Sequence, residues 1–182
     1  RATVEGTQGR WEVVLAKLAG TEAALGREIK GWVPVKAALK TDDADAAACF
    51  KQALAVLSTE TAGKVLPGDV VDQLLGTTVW IKNWESSVQI AFNSQESKPF
   101  TVPMLVSLAE DSPAKTCELR VSPVEGWEFG SGSTVLLAGQ TKYCPLACKS
   151  PVGPKGFFNL PVTATFAGEG WKLAGFYQPS IL

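Results

Sequence analysis

Residues 68–84, GDVVDQLLGTTVWIKNW, contain the change of pattern that decides the fold. Before Gly76 the apolar residues recur at helical spacing, and after it strand-forming residues take over with a period of two. Because glycine commonly ends helices, Gly76 is predicted to end a short helix that follows Pro67. The sequence therefore predicts a helical region over residues 1–76 and a strand region over residues 77–182.

The N-terminal region is predicted to form a helical hairpin. Residues 10–32, RWEVVLAKLAGTEAALGREIKGW, space their apolar side chains by three, four and seven. These side chains are Trp11, Val14, Leu15, Leu18, Leu25 and Ile29. Since Pro34 follows, the first helix is predicted to end near Lys30. Residues 41–58 predict the second helix, and its opening Thr-Asp-Asp suits a capped N-terminus.

The C-terminal region predicts about seven strands with a turn signal every ten to fifteen residues. The segments are residues 77–84, 86–93, 100–110, 117–124, 133–146, 157–168 and 170–180. Pro103 within the third segment is predicted to mark an edge or a bulge. This number and spacing of strands is typical of a β-sandwich of immunoglobulin-like size.

Four phrases within residues 88–168 resemble the diffuse Ig-like modules that are appended to enzymes, trafficking adaptors and surface proteins. They are FNSQESKPFTVPMLVSL, LRVSPVEGWEF, VLLAGQTKYCPL and GFFNLPVTATFAG. The resemblance implies an α+β chain in which the helical hairpin is followed by a seven-stranded antiparallel Ig-like β-sandwich. Cys117 has no partner around a core tryptophan at antibody spacing, so an antibody-type domain is not expected.

A second resemblance points to a different fold. Residues 164–182, ATFAGEGWKLAGFYQPSIL, are similar to the last hairpin of NTF2-like α+β cone folds, in which helices also come first. That resemblance implies a sheet wrapped around a pocket. An apolar pocket lined by Trp11, Trp80 and Phe176 would favour it.

Composition excludes several classes of function. The chain of 182 residues is 46% hydrophobic and 19% charged, which is typical of a globular protein. Its net charge of −1 gives no basic footprint, so no nucleic-acid partner is expected. No stretch is apolar enough to predict a transmembrane segment. Histidine is absent, which excludes Ser-His-Asp and Cys-His catalysis and imidazole zinc sites.

The four cysteines do not form a metal or redox motif, because the chain contains no CxxC pair. On one extended strand, Cys144 and Cys148 would lie about 13 Å apart, whereas a disulfide needs about 4.4–6.8 Å. They could bond directly only if Pro145 turned the chain. In an oxidising compartment the sequence predicts a disulfide from Cys117 to Cys144 or Cys148, and otherwise buried free thiols.

Four tryptophans are candidate interface aromatics: Trp80, Trp84, Trp127 and Trp171. Tryptophan is enriched at binding hot spots, although packing between helices and sheet would also explain these residues. No catalytic, cofactor or metal residue is predicted, because the acidic residues lie at helix starts and turns without an evident partner. Whether the chain is an enzyme is left open, and a non-catalytic role is favoured.

These observations favour a protein-binding, assembly or scaffold module that presents a sheet face or loop tips to a partner protein, with its oligomeric state open. An NTF2-like small-molecule binder or enzyme is one alternative. A carbohydrate-binding module is another, which exposed coplanar tryptophans would favour. The opening RATVEG resembles the residues near a green-algal chloroplast transit-peptide cleavage site, so the expected location is that plastid or, alternatively, outside the cell.

Overall fold

The computed structural model describes residues 5–81, 99–152, 158–178 and 180–181. Within them the protein is a mixed α+β structure with four α-helices and two main β-sheets. The helices are α1 (Glu5–Leu25), α2 (Val33–Leu39), α3 (Ala46–Glu60) and α4 (Gly68–Leu75), with a 3₁₀ turn at Lys30–Trp32. The strands are β1 (Leu66–Pro67), β2 (Thr77–Ile81), β3 (Pro99–Leu108), β4 (Thr116–Val121), β5 (Glu128–Phe129), β6 (Gly132–Val135), β7 (Thr141–Lys149), β8 (Phe158–Asn159), β9 (Val162–Gly168), β10 (Trp171–Tyr177) and β11 (Ser180–Ile181).

The strands form a five-stranded sheet in the order β1-β10-β9-β4-β6 and a four-stranded sheet in the order β2-β3-β7-β5. Strands β8 and β11 form a separate pair. Neighbouring strands run antiparallel, except that β1 runs parallel to β10. The predicted α+β class is confirmed.

Each main sheet turns one face towards a shared core. On β7 the buried residues are Cys144, Leu146 and Cys148, at every second position, as a half-buried strand requires. On β9 the alternate residues Ala164 and Phe166 are fully buried. The odd-numbered residues of β7 therefore point to solvent.

The helices complete this core from the β10 side. Val71 of α4 lies against Gly175, where an added Cβ would meet the valine side chain at 3.1 Å. Trp32 is fully buried, and its Nε1 donates a 2.9 Å hydrogen bond to the Ala53 carbonyl of α3. The apolar core is continuous from the helices to both sheets.

The first helix ends earlier than predicted. It stops at Leu25 because Gly26 adopts the left-handed conformation, with φ of +71°. Pro34 does not follow a helix that ends near Lys30; it lies in the first turn of α2. Proline suits that position because the first turn leaves its backbone N–H groups unbonded in any case. The predicted hairpin is therefore two longer helices with a shorter one between them.

The ends of the other helices follow local rules. Asp45, not the Thr-Asp-Asp run at 41–43, caps α3, and its side chain accepts a 3.1 Å hydrogen bond from the Ala48 N–H. The prediction that Gly76 ends α4 is confirmed, since Gly76 has φ of +67° and its N–H bonds the Asp72 carbonyl. Strand β2 begins at the next residue.

One predicted strand, residues 86–93, lies outside the described residues. The predicted bulge at Pro103 is wrong, because the register between β3 and β7 continues without interruption and pairs Pro103 with Pro145. The predicted edge stays a prediction, since the described pairs between β2 and β3 run only from Met104 to Leu108. Gly130, which follows β5, donates its N–H to the Ala147 carbonyl of β7. The N–H and C=O groups of one residue in an antiparallel strand point to the same side, and this side alternates along the strand. The backbone groups of Ala147 and of the other odd-numbered β7 residues therefore point towards β5 and away from β3. The ring nitrogens of the two prolines therefore point away from each other, and the β3–β7 ladder loses no hydrogen bond.

Gly168 gives a sharp test of the packing between β9 and β10. It pairs with Trp171, and a Cβ added at Gly168 would lie 2.5 Å from ring atoms Cε2 and Nε1 of that tryptophan. We expect Gly168→Ala to lower the free energy of unfolding by about 1–3 kcal/mol, because the ring must shift within a packed core. Urea denaturation measures this change.

Gly130→Ala is the matched control, since its added Cβ would make ordinary contacts with Ala147, at 3.4 Å from its Cβ, 3.6 Å from its carbonyl oxygen and 3.9 Å from its nitrogen. Its expected effect is within about 0.5 kcal/mol. Equal effects at Gly168 and Gly130 would contradict the close packing of Trp171.

Candidate interaction surface

The cysteines are placed in the core rather than at a reactive site. All four are buried and free. Cys144 and Cys148 share the extended strand β7, which keeps them apart as the sequence predicts. The sequence predicts a disulfide from Cys117 to Cys144 or Cys148 in an oxidising compartment, and such a bond was pictured between neighbouring strands of one sheet; instead Cys117 lies on β4 of the five-stranded sheet, while Cys144 and Cys148 lie on β7 of the four-stranded sheet.

Burial makes these thiols poor nucleophiles. It raises the pKa of Cys148 to about 12 and raises that of Cys144. Burial also raises the pKa of Cys117, and the Cys144 thiol adds to that rise, which identifies Cys144 as a neighbour of Cys117. The thiolate is the reactive form, so burial lowers the reactivity of these cysteines in the folded state. Within the described ranges no three histidine, cysteine, aspartate or glutamate side chains cluster as metal ligands.

Of the candidate tryptophans, Trp171 is buried in the core and Trp127 is partly buried. Trp171 is only 5% exposed, so its expected role as an interface aromatic is corrected to core packing. Trp127 is partly buried; its ring stacks on Phe129 at 5.7 Å between centroids and meets Phe100 edge-on at 6.2 Å. Trp84 lies outside the described residues.

Trp80 lies on the outer side of the four-stranded sheet, in a row that crosses three strands. It pairs with Leu105 of β3, which pairs with Tyr143 of β7, and paired residues of antiparallel strands point to the same face. Tyr143 is 53% exposed, and Trp80 and Leu105 are partly exposed. We call these three residues the aromatic row.

The sheet face around the aromatic row is almost free of charge. The other outward residues of β2, β3 and β7 are Thr78, Pro99, Thr101, Pro103, Ser107, Thr141, Pro145, Ala147 and Lys149. Only Lys149, at one end, is charged, and it pairs with Glu128 of β5. We call the outward surface of these three strands the uncharged face.

The outer side of the five-stranded sheet differs in character. It carries the ion pair Glu118–Arg120 on β4 and Lys172 on β10. Phe176 is the exposed aromatic residue of this side, with 41% of its surface accessible. The protein thus has one charged and one uncharged outer sheet face, although 19% of its residues carry charge.

The expected NTF2-like pocket is not formed by its three candidate residues. Trp80 and Phe176 lie on the outer faces of different sheets, and Trp11 lies on α1. They do not enclose a common cavity.

Sequence reasoning missed a partly buried polar cluster that joins three elements. Asp72 of α4 accepts a 2.6 Å hydrogen bond from the Tyr177 hydroxyl of β10 and a 2.7 Å hydrogen bond from the Thr77 hydroxyl of β2. Burial raises the pKa of Asp72, and the hydrogen bonds from Tyr177 and Thr77 oppose that rise. The only signal in the sequence is an acidic residue inside the apolar run VVDQLL.

The raised pKa of Asp72 makes the stability depend on pH. The folded state holds the carboxyl proton more tightly than the unfolded state, so the stabilisation is complete below the ordinary pKa of aspartate and is lost as the pH rises through the folded value. Asp72→Asn retains an acceptor oxygen but has no carboxyl group to titrate. We therefore expect it to remove this pH-dependent part of the stability. At pH 7 the free energy of unfolding of the variant is expected to be equal to or higher than that of the wild type. Thermal melts of both proteins between about pH 3.5 and pH 7 measure this difference. Parallel stability curves would contradict it.

No helix in the described part of the chain combines the length and the apolar character that crossing a bilayer requires.

Comparison with known proteins adds no family to the α+β class that the fold defines. No family model matches it, and no curated protein sequence matches it. Among solved structures it is similar to a FixG-related protein from Vibrio parahaemolyticus, with 9% identity and a TM-score of 0.33 over 57% of this chain and 92% of that chain. A likeness of that size carries no argument about fold or function.

Proposed function

We propose that this chain is a non-catalytic protein-binding module that presents its uncharged face to a partner protein. The observation that carries the proposal is the aromatic row, in which Trp80, Leu105 and Tyr143 lie side by side on three adjacent strands. Aromatic residues are enriched, and charged residues depleted, at the buried centre of protein interfaces.

The proposal includes an Ig-like β-sandwich as the scaffold of this face. Seven described strands have four or more residues: β2, β3, β4, β6, β7, β9 and β10. They divide between two sheets whose inner faces share one core. Such a scaffold holds an outer sheet face rigid, which lowers the entropic cost of binding.

The test is affinity capture from an extract of the source cells with paired variants. We expect wild-type chain to retain a protein that Tyr143→Lys fails to retain, because the ammonium would be desolvated against an apolar partner. Phe176→Lys is the matched control, since it places the same charge on an exposed aromatic position of the other sheet. A protein lost equally from both variants, or from neither, would contradict the proposal.

Carbohydrate binding is a second candidate with one specific observation in its favour. A row of hydroxyl side chains, Thr78, Ser107 and Thr141, lies next to the aromatic row, and Thr141 donates a 3.1 Å hydrogen bond to Ser107. Ring faces beside hydroxyl groups suit a sugar. Titration with soluble oligosaccharides would then change the fluorescence of wild-type protein but not of Trp80→Phe, and an unchanged wild-type spectrum would rule this candidate out.

A further inference from the structure

We propose that Tyr177 is a redox-active tyrosine, which gives an electron to a one-electron oxidant while its hydroxyl proton passes to Asp72. The site lies where the end of β10 meets α4, away from the uncharged face. The inference is therefore independent of the proposed binding function. It names the reaction partner by its chemical class, an oxidant that accepts a single electron.

The hydrogen bond between the two side chains provides the path for the proton. The Tyr177 hydroxyl donates to Asp72 Oδ1 over 2.6 Å, and the Thr77 hydroxyl donates to the same oxygen over 2.7 Å. Donor and acceptor already lie at the distance that direct proton transfer requires. Because the bond from Thr77 also holds the carboxylate, the acceptor is in place before the electron leaves.

The protonation states of the pair favour loss of the electron and the proton together. Burial, together with the charge of Asp72, raises the pKa of Tyr177, so the phenol keeps its proton until it is oxidised. Loss of the electron alone would leave a phenol cation in a partly buried site, which is costly. Burial also raises the pKa of Asp72, against the effect of its two hydrogen bonds, and this makes the carboxylate a stronger proton acceptor.

The step balances within the pair and the oxidant. The O–H bond of Tyr177 breaks, one electron reduces the oxidant, and the proton forms an O–H bond on Asp72 Oδ1. The products in the protein are a neutral tyrosyl radical and a neutral carboxylic acid. The reaction thus removes a partly buried negative charge and creates no new one.

The packing of the Tyr177 ring protects the radical. Tyrosyl radicals couple to each other through Cε1 and Cε2, the carbons on either side of the hydroxyl. A Cβ added to Gly68 would lie 2.7 Å from Cε1, and one added to Gly175 would lie 3.0 Å from Cε2, so the chain at these glycines covers both carbons. Tyr143, the other tyrosine of the sequence, is 53% exposed. We expect Tyr143 radicals to form dityrosine and Tyr177 radicals to persist.

The pair also predicts how the oxidation depends on pH. The titratable and charged groups around it are Asp69 on α4, Cys117 on β4, and the ion pair of Lys17 on α1 with Asp111, which approaches the end of α4. After burial, the main cause, Asp69 adds to the rise in the pKa of Asp72, and Cys117 adds to that of Tyr177. Only an ionised Asp72 accepts the proton, so coupled oxidation is present above its folded pKa and is lost as the pH falls through that value.

Flash photo-oxidation tests the inference, with photogenerated tris(bipyridine)ruthenium(III) as the oxidant and electron paramagnetic resonance of frozen samples as the readout. The Tyr143→Phe chain keeps Tyr177 as its only tyrosine. We expect this chain to give a persistent tyrosyl radical at about pH 8. Adding Asp72→Asn is expected to slow formation of that radical about 100-fold or more, because asparagine keeps an acceptor oxygen but does not take up the proton.

Lowering the pH from about 8 to about 4 tests the same step without a substitution at Asp72, should that variant fail to fold. We expect the tyrosyl radical of the Tyr143→Phe chain to be lost over this range. The Tyr177→Phe chain is the matched control, since its remaining tyrosine, Tyr143, is exposed and gives its proton to solvent.

Two results would overturn the inference. One is a radical confined to tryptophan in the Tyr143→Phe chain. The other is a Tyr177 radical that forms at the same rate with Asp72→Asn, or at low pH, as in the parent chain at about pH 8. Neither result bears on binding at the uncharged face.

Discussion

Leu105→Lys is expected to weaken binding of the captured partner protein to the uncharged face at least 100-fold, about 2.7 kcal/mol. Leu105 lies at the centre of the aromatic row, between Trp80 and Tyr143. A lysine there would have to lose water at the point where an interface is driest, without a partner of opposite charge. Titration calorimetry or sedimentation measures the change in Kd.

Thr165→Lys is the matched control for this substitution. Thr165 lies at the centre of the other outer face, paired with Ala174 on one side and Glu118 on the other. We expect it to leave the Kd within about threefold, and both lysine variants to change the free energy of unfolding by less than about 1 kcal/mol. If both variants weaken binding equally, the uncharged face is not the specific surface.

Asp72→Ala is expected to produce the largest loss of stability among the polar substitutions, about 2–4 kcal/mol. It leaves the buried Thr77 hydroxyl and the partly buried Tyr177 hydroxyl without their acceptor, and each lost partner costs about 1–3 kcal/mol. The three residues join α4, β2 and β10, so the substitution loosens the contact between the helices and both sheets. Chemical denaturation at pH 7 measures the loss.

Asp72→Asn separates the hydrogen bonds from the carboxylate charge, because asparagine retains the accepting oxygen. If Asp72→Ala cost no more than Asp72→Asn, the cluster would contribute nothing beyond its packing.

Local rules made part of this fold predictable. Gly76 was identifiable because a left-handed residue that ends a helix is usually glycine. Pro34 led to a wrong prediction for the end of the first helix, because proline is common both after helices and in their first turn. Which of the two positions it takes depends on residues outside its own turn. Here the first helix ends before Gly26, and Trp32, two residues before Pro34, donates its indole N–H to Ala53 of a helix later in the chain.

The candidate surface could be predicted only in outline. The alternation in β2 shows which residues share a side, but not which side faces the core. That choice depends on pairing with β3 and β7, which brings Leu105 and Tyr143 beside Trp80 from distant parts of the sequence. Trp171 could not be assigned either, because alternation in β10 groups it with Leu173 but does not show that this side of the strand faces the core.

Hydroxyl-radical footprinting of Tyr143 is the most direct test of the claim that the uncharged face is a binding surface. The oxidation rate of Tyr143 in the native extract is compared with its rate in dilute isolated chain, with exposed Phe176 as the internal reference. We expect Tyr143 to be protected severalfold in the extract while Phe176 reacts at the same rate in both samples. Equal oxidation of Tyr143 in the two samples would contradict the claim.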